Sequence, residues 1–163
     1  GGDVPIIVCG DSSGGNLAAV VARRARDRNG PTIALQALIY PVTDADLDTA
    51  SYTDPENQLM LNRDAMVWFW DLYVPNLAQR SEPDASPLRS DLAGLPPALV
   101  MTAECDVLRD EGEAYAAKLK AAGVDVQASR YAGQMHGFFV LPMLPGSGPA
   151  MDELVATVDR ILA

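Results

Sequence analysis

The chain has 163 residues, enough for one domain with a buried core, and 48% of them are apolar and 21% charged, as in ordinary folded proteins. Its formal charge is −10, and this acidic balance argues against nucleic acid as a partner, because phosphate backbones are bound by clustered lysine and arginine. No apolar run approaches the roughly 18 to 20 residues of a membrane span, and no secretory signal is visible, so we expect a cytoplasmic protein.

Predicted strands alternate with predicted helices along the whole chain. The first strand, Val4–Cys9, is a continuous apolar run, as expected of a parallel strand buried on both faces. The other predicted strands are Thr32–Tyr40, Ala98–Thr102 and Val124–Arg130, and the predicted helices are Leu17–Arg26, 62–73, Arg109–Ala121 and Met151–Leu162. This alternation predicts an α/β fold in which a mostly parallel sheet carries helices on both faces. The acidic, proline-containing segment 44–90 is predicted to be an excursion from a single unit that spans 1–163.

The first strand leads directly into Gly10-Asp11-Ser12-Ser13-Gly14, a Gly-x-Ser-x-Gly motif that is followed by a helix. This order is typical of a nucleophile elbow, a sharp turn that lifts one serine hydroxyl above the sheet. Glycines suit such a turn because the backbone around the serine must come close to the helix and the sheet. The motif predicts Ser12 as a nucleophile; the alternative is a Gly/Ser-rich loop between two core elements.

A serine nucleophile needs a general base, and the base needs an orienting carboxylate. The chain has a single histidine, His136, in the loop after the fourth predicted strand, so His136 is the candidate base. Asp106 is the leading candidate for the carboxylate, because it lies in the loop that leaves the third strand and gives the chain order Ser-Asp-His of the α/β-hydrolases. The alternatives are its acidic neighbours Glu104, Asp110 and Glu111.

Neither cysteine is predicted to carry chemistry. Cys9 and Cys105 each close an apolar strand and are predicted to be small buried hydrophobic residues rather than disulfide partners or metal ligands. A zinc site of the usual composition is not expected with one histidine in the chain.

Three motifs carry a resemblance to a known family. Gly10–Gly15 resembles the GDSAGG motif of the hormone-sensitive-lipase-like esterases, the bacterial family IV carboxylesterases; Cys105–Glu111 resembles their DPLRDE segment, and Met135–Phe138 resembles their HGF loop. The resemblance runs through essentially the whole chain. It implies an α/β-hydrolase fold and a serine carboxylesterase that acts on short-chain acyl esters without a cofactor. By the same resemblance Ser12 is the nucleophile, Asp106 the triad acid and His136 the base.

The resemblance also marks a large departure. The family builds much of its oxyanion hole from an HGGG motif far upstream of the elbow, and this sequence has none; Gly1-Gly2 is interpreted as a turn or an added tag remnant rather than part of that motif. The remaining predicted oxyanion donor is the backbone N–H of Ser13. The chain therefore resembles the C-terminal portion of an esterase, and a non-catalytic fragment or assembly half is the alternative function.

Two further expectations follow from the resemblance. The outer edge of Val4–Cys9 is expected to be open and apolar, covered by a missing N-terminal half or by another copy of the chain. The 44–90 excursion contributes to the cap over the acyl pocket in the family, so we expect Trp68 and Phe138 to line the substrate pocket. Packing of the tryptophan-bearing helix into the core is the alternative interpretation for Trp68.

Overall fold

The computed structural model describes residues 4–163, so Gly1-Gly2 lies outside the described residues. The strands are β1 (Ile6–Asp11), β2 (Ile33–Ile39), β3 (Ala98–Cys105) and β4 (Val126–Met135). The helices are α1 (Ser13–Asp27), α2 (Ala50–Thr53), α3 (Arg63–Tyr73), α4 (Arg109–Ala121) and α5 (Ser147–Leu162). Short 3₁₀ turns occur at Pro55–Asn57, Leu77–Gln79, Pro87–Arg89 and Phe138–Val140.

The four strands form one parallel sheet in the order β1-β2-β3-β4. Helices α1 and α4 cover one face, where the buried cluster includes Leu38 and Tyr115, and α5 covers the other face, where it includes Leu99 and Phe138. The α/β fold with helices on both faces is confirmed. Because the strands are parallel and in register, the loops that follow them meet at the carboxyl end of the sheet, where ligand sites of such folds lie.

Helix α1 begins at Ser13, four residues before the predicted start, because two glycines allow close packing there. A Cβ atom on Gly10 would lie 2.2 Å from the carbonyl oxygen of Gly14, and one on Gly15 would lie 2.8 Å from the Cβ of Pro41. The first turn of the helix can therefore form directly after the strand and pack against the segment that follows β2.

The burial predicted for β1 is wrong. β1 is an outer strand, its residues are partly or fully exposed, and Val4 and Ile6 are 80% and 42% exposed. Cys9 is consequently exposed and Cys105 half-buried, so neither is the buried hydrophobic residue that was expected. The expected open apolar edge is present in the part of the chain that the structure describes.

The β4 edge is built differently from the β1 edge. Gln127, Ser129 and Tyr131 face α5 and donate hydrogen bonds to the carboxylate of Glu153, at 2.7, 2.5 and 2.5 Å. Arg130 points to the other face and pairs with Glu113 of α4. Polar and charged side chains of this kind are typical of a strand that natively ends a sheet.

The 44–90 excursion contains α2 and α3, and its Tyr52, Met66 and Trp70 form a buried cluster with Val107 and Leu108 of the loop after β3. It is tied to α1 by ion pairs from Arg23 and Arg24 to Asp84. Within residues 4–163 no helix is both long and apolar enough to cross a membrane.

Candidate active site

Ser12 occupies a strained turn between β1 and α1. Its backbone has φ 54° and ψ −119°, a conformation that a residue with a side chain rarely adopts and that costs on the order of 1–3 kcal/mol. Neighbouring backbone holds it in place: the Ser12 N–H donates to the carbonyl oxygen of Ile39 at 2.9 Å, and the N–H of Val42 donates to the Ser12 carbonyl oxygen at 3.2 Å. The turn projects the serine hydroxyl from the carboxyl end of the sheet, as the motif predicted.

The structure brings Ser12, His136 and Asp106 into one hydrogen-bonded line. His136 Nε2 lies 3.0 Å from Ser12 Oγ, and His136 Nδ1 lies 2.8 Å from Asp106 Oδ2. The Asp106 side chain is fully buried and its other oxygen accepts the N–H of Leu108 at 3.0 Å, while the His136 side chain is 13% exposed. With a proton on Nδ1 facing the carboxylate, Nε2 is left free to accept the serine proton.

The other acidic candidates have different partners. Glu104 is exposed and accepts the N–H of Gly133 at 2.7 Å. Asp110 accepts the N–H of Ser51 at 2.7 Å. Within residues 4–163 only Asp106 is hydrogen-bonded to the His136 imidazole among these four carboxylates.

Glu111 is buried and serves a neighbouring loop. Its Oε1 accepts the N–H groups of Thr43 and Asp44 at 2.6 and 3.3 Å, and its backbone oxygen accepts the Thr43 hydroxyl at 2.8 Å. Burial raises the pKa of the Glu111 carboxyl well above its ordinary value, and the two N–H donors only partly oppose this shift. Glu111 thus fixes the segment after β2 to the first turn of α4, next to the loop that carries Asp106.

A cavity of about 540 Å³ opens beside the serine hydroxyl. Its apolar wall comes from the start of α1, the loop after β2 and the excursion, and its lining residues are Ser12, Ser13, Asn16, Leu17, Val42, Leu61, Met66, Phe69, Trp70, Leu72 and Tyr73. An apolar cavity with a few polar groups at one end is typical of a small-molecule site.

Trp68 and Phe138, the two predicted pocket residues, do not line this cavity. Trp68 is 58% exposed and is not among the lining residues, although its ring packs against that of Phe69. Phe138 is fully buried on the α5 face of the sheet, where its ring packs against Tyr40 and Tyr131. The residues that sequence reasoning missed follow helical spacing along α3: Met66, Phe69, Trp70 and Tyr73 form an i, i+3, i+4, i+7 stripe that could have identified them.

Ser13, the predicted oxyanion donor, is the first residue of α1 and lines the cavity. Its N–H has no acceptor within the helix, because the first N–H groups of any helix lack one, and it lies at the positive end of the helix dipole. In residues 4–163 no three His, Cys, Asp or Glu side chains gather in an arrangement that could hold a metal ion.

Comparison with known proteins agrees with this geometry. Residues 2–140 match the alpha/beta hydrolase fold family. Carboxylesterase NlhH of Mycobacterium tuberculosis is 42% identical over 169 residues, a match that covers 99% of this chain and 53% of the relative. Carboxylic ester hydrolase LipN of the same organism is 42% identical over 97% of this chain and 44% of its own length.

Solved esterase structures superpose closely on the chain. A fungal esterase from Rhizomucor miehei does so with a TM-score of 0.91 at 48% identity, covering 96% of this chain and 50% of that one. The chain spans about half the length of the curated relatives that it matches. The family match shows that the chain belongs to the alpha/beta hydrolase fold family.

Proposed function

We propose that the protein acts as a serine carboxylesterase on short-chain acyl esters, with Ser12 as nucleophile, His136 as general base and acid, and Asp106 as the carboxylate that orients the imidazole. The observation that carries the proposal is the hydrogen-bonded line from Ser12 Oγ through His136 to Asp106, which ends beside an apolar cavity. The names of the carboxylesterase relatives support the same reaction class.

In the proposed reaction, Ser12 Oγ attacks the ester carbonyl carbon while His136 Nε2 takes the hydroxyl proton. The tetrahedral intermediate collapses when the bond to the alcohol oxygen breaks, and Nε2 returns the proton to that oxygen. Water then attacks the acyl-serine, Nε2 takes a proton from the water, and the carboxylic acid leaves as the proton returns to Ser12. The buried Asp106 carboxylate stabilises the imidazolium that forms in each step.

The proposed site has an incomplete set of hydrogen-bond donors for the oxyanion of the tetrahedral intermediate. The Ser13 N–H is one donor, and the HGGG motif that supplies others in the family does not occur in the sequence. Loss of a single oxyanion donor typically lowers kcat by about 10² to 10³. We therefore expect slow turnover by this chain alone and faster turnover when a partner supplies the missing donors.

The outer edge of β1 supports a proposal about that partner. We infer that another strand covers this edge, contributed by an N-terminal half like that of the longer relatives or by a second copy of the chain. The apolar side chains along β1 suit an interior strand, and an uncovered edge of this kind favours pairing with another chain. The cytoplasmic location expected from the sequence stays a prediction.

The open edge also favours the second candidate function, a non-catalytic half that serves assembly. Hydrolysis of p-nitrophenyl butyrate by the wild-type chain and by Ser12→Ala separates the two functions. Serine-dependent turnover supports the esterase, and a comparison of butyrate with octanoate esters then tests the short-chain preference.

A fluorophosphonate probe extends the test to a chain that does not turn over. Labelling of Ser12 that is lost in His136→Ala means that the serine is activated although oxyanion donors are lacking. A folded chain that neither hydrolyses the ester nor reacts with the probe contradicts the esterase proposal and leaves the assembly function.

A further inference from the structure

Tyr40, directly after β2, has an unusual backbone conformation. Its φ is 34°, in a region that favours glycine, and within residues 4–163 the other non-glycine residues with positive φ are Ser12 and Asn29. Asparagine tolerates this region in turns, and Ser12 is the elbow, whereas a bulky aromatic residue there is an outlier. Backbone strain of this kind persists only where the surrounding structure enforces it.

The conformation changes the face of the sheet on which the ring lies. Successive side chains of a strand alternate between faces, so a residue after Ile39 would be expected on the α1/α4 face. Tyr40 instead lies in the same buried cluster as Ile39, on the α5 face. The Tyr40 N–H donates to the carbonyl oxygen of Met101 at 2.6 Å, which holds the backbone while the ring turns.

On that face the Tyr40 ring meets the imidazole of His136. The ring centroids of Tyr40 and His136 lie 4.6 Å apart at an interplanar angle of 54°, and the Tyr40 ring also packs edge-on against Phe138 at 5.7 Å. Tyr40 is 1% exposed, so it forms a fixed wall next to the imidazole. The hydrogen bonds to Ser12 and Asp106 fix the positions of the two imidazole nitrogens. The contact with the Tyr40 ring limits rotation of the imidazole about the line through those nitrogens.

We propose that Tyr40 is a positioning residue for His136: its strained backbone places the aromatic ring against the imidazole and keeps Nε2 directed at Ser12 Oγ. The inference rests on the proposed function of Ser12 and His136. The ring also lies against an imidazole that becomes cationic in the proposed reaction, and an aromatic ring can stabilise such a cation. The ring, and not the hydroxyl, performs this role.

The surroundings of the Tyr40 hydroxyl agree with a role for the ring alone. The Tyr40 hydroxyl is buried near the Asp11 carboxylate and the Val140 backbone N–H, but it makes a hydrogen bond of good geometry to neither. Burial, assisted by the charges of Asp11 and Asp106, raises its pKa, so the group is neutral across the physiological range. Replacement by phenylalanine therefore removes an unpartnered polar atom and keeps the ring.

The test compares Tyr40→Phe and Tyr40→Leu in the 163-residue chain. The second-order rate of Ser12 labelling by a fluorophosphonate is expected to stay within about twofold in Tyr40→Phe and to fall at least about tenfold in Tyr40→Leu, because small misplacements of reacting groups have effects of this size. Tyr115→Leu is the matched control, since Tyr115 is an equally buried tyrosine on the opposite face of the sheet. It should lower the melting temperature without slowing labelling.

Nuclear magnetic resonance gives a readout that does not depend on reactivity. His136 is the only histidine, so its imidazole proton signals are unambiguous. In the wild type and in Tyr40→Phe these protons should show nuclear Overhauser effects to the ring at position 40 and a ring-current shift, and Tyr40→Leu should lose that shift.

The outcomes separate the inference from the proposed function. Labelling of a folded Tyr40→Leu at the wild-type rate overturns the role of Tyr40, and so does a slowed Tyr40→Phe. If the wild type is not labelled, the proposed function fails, while the His136 spectra still decide whether the ring orients the imidazole. Should Tyr40→Leu not fold, the absence of Overhauser effects in the wild type overturns the inference.

Discussion

The two halves of the candidate active site are held very differently. The half proposed to transfer protons, formed by Ser12, His136 and Asp106, lies at the carboxyl ends of the sheet strands, and each side chain is hydrogen-bonded to the next. The cavity half depends on α3 of the excursion, where the lining residues Phe69 and Leu72 are 46% and 63% exposed. The ends of the sheet strands thus fix the positions of Ser12, His136 and Asp106. One face of a surface helix, by contrast, forms part of the cavity wall.

This contrast predicts that substitutions in the first half change reactivity strongly and substitutions in the second half change it weakly. The carboxylate gives the largest expected effect. Asp106→Asn should lower kcat by about 10⁴, because the amide favours the wrong imidazole tautomer while the geometry is preserved. Ester hydrolysis or fluorophosphonate labelling measures the loss.

Glu104→Gln is the matched control for Asp106→Asn. Glu104 lies two residues away, and its carboxylate accepts the backbone N–H of Gly133 in β4 rather than a group of His136. Its replacement should leave the rate near that of the wild type. A larger loss in Glu104→Gln than in Asp106→Asn would transfer the acid role and remove the contrast.

Substitution of the buried Glu111 tests how strongly its hydrogen bonds to the segment after β2 stabilise the fold. Glu111→Ala leaves the N–H groups of Thr43 and Asp44 without their acceptor, and we expect a loss of about 3 kcal/mol in the free energy of unfolding. Glu111→Gln keeps an acceptor oxygen and should lose less. Urea titration of both variants checks this order, and equal losses would show that the acceptor is unimportant.

The same residue predicts a pH dependence. Because the pKa of Glu111 is raised in the folded state, its contribution to stability is complete below its unfolded pKa of about 4.3 and is lost as the pH rises toward the folded value. Glu111→Gln has no such proton. As the pH rises from about 4 to neutrality, the free energy of unfolding of the wild type should therefore fall relative to that of Glu111→Gln. Urea titrations at a series of pH values measure this difference.

The cavity half should respond more weakly. Phe69→Ala removes part of the apolar wall and should lower kcat/KM for a butyrate ester by about fivefold, since a half-exposed side chain contributes about 1 kcal/mol of burial. Trp68→Ala is the control, because the neighbouring Trp68 is not among the residues that line the cavity. A greater effect of Trp68→Ala would restore the pocket role first expected for it.

The smallest effect is expected from Glu153, which secures β4 below the His136 loop. Partial burial opposes ionisation of this carboxyl, but hydrogen bonds from Ser129, Tyr131 and Gln127 outweigh it and hold the pKa below its ordinary value. Its contribution is present above an unfolded pKa of about 4.3 and is lost as the pH falls through the folded value. Glu153→Gln should lose about 1 kcal/mol at neutral pH and less in acid, as measured by chemical denaturation.

Sequence alone predicted the fold class and which side chains would gather at the strand ends. Ser12, Asp106 and His136 follow strands of a parallel sheet, so strand order and chain order suffice to bring them together. Their catalytic roles stay predictions. Trp68, which was predicted for the pocket, does not line the cavity, whereas its neighbour Phe69 does, in agreement with the helical spacing along α3.

Other features depend on tertiary contacts that no local pattern records. The apolar run of β1 predicts burial, but burial also requires a neighbouring strand, and residues 4–163 place β1 at the edge. The positive φ of Tyr40 is equally invisible in sequence, because a bulky aromatic residue is normally a strand former. In both cases the conformation or burial that the local sequence favours is overridden by the neighbouring parts of the fold.

The open edge of β1 also has a thermodynamic consequence. A strand that binds this edge only in the folded chain stabilises the fold by mass action, by about 2.7 kcal/mol when its concentration is 100 times its Kd. The melting temperature of the chain should therefore rise with its own concentration if a second copy is the ligand, and with the concentration of an added strand peptide if it is not. If such a strand binds, the measured free energy of unfolding depends on the concentration of that strand as well as on the sequence of the chain.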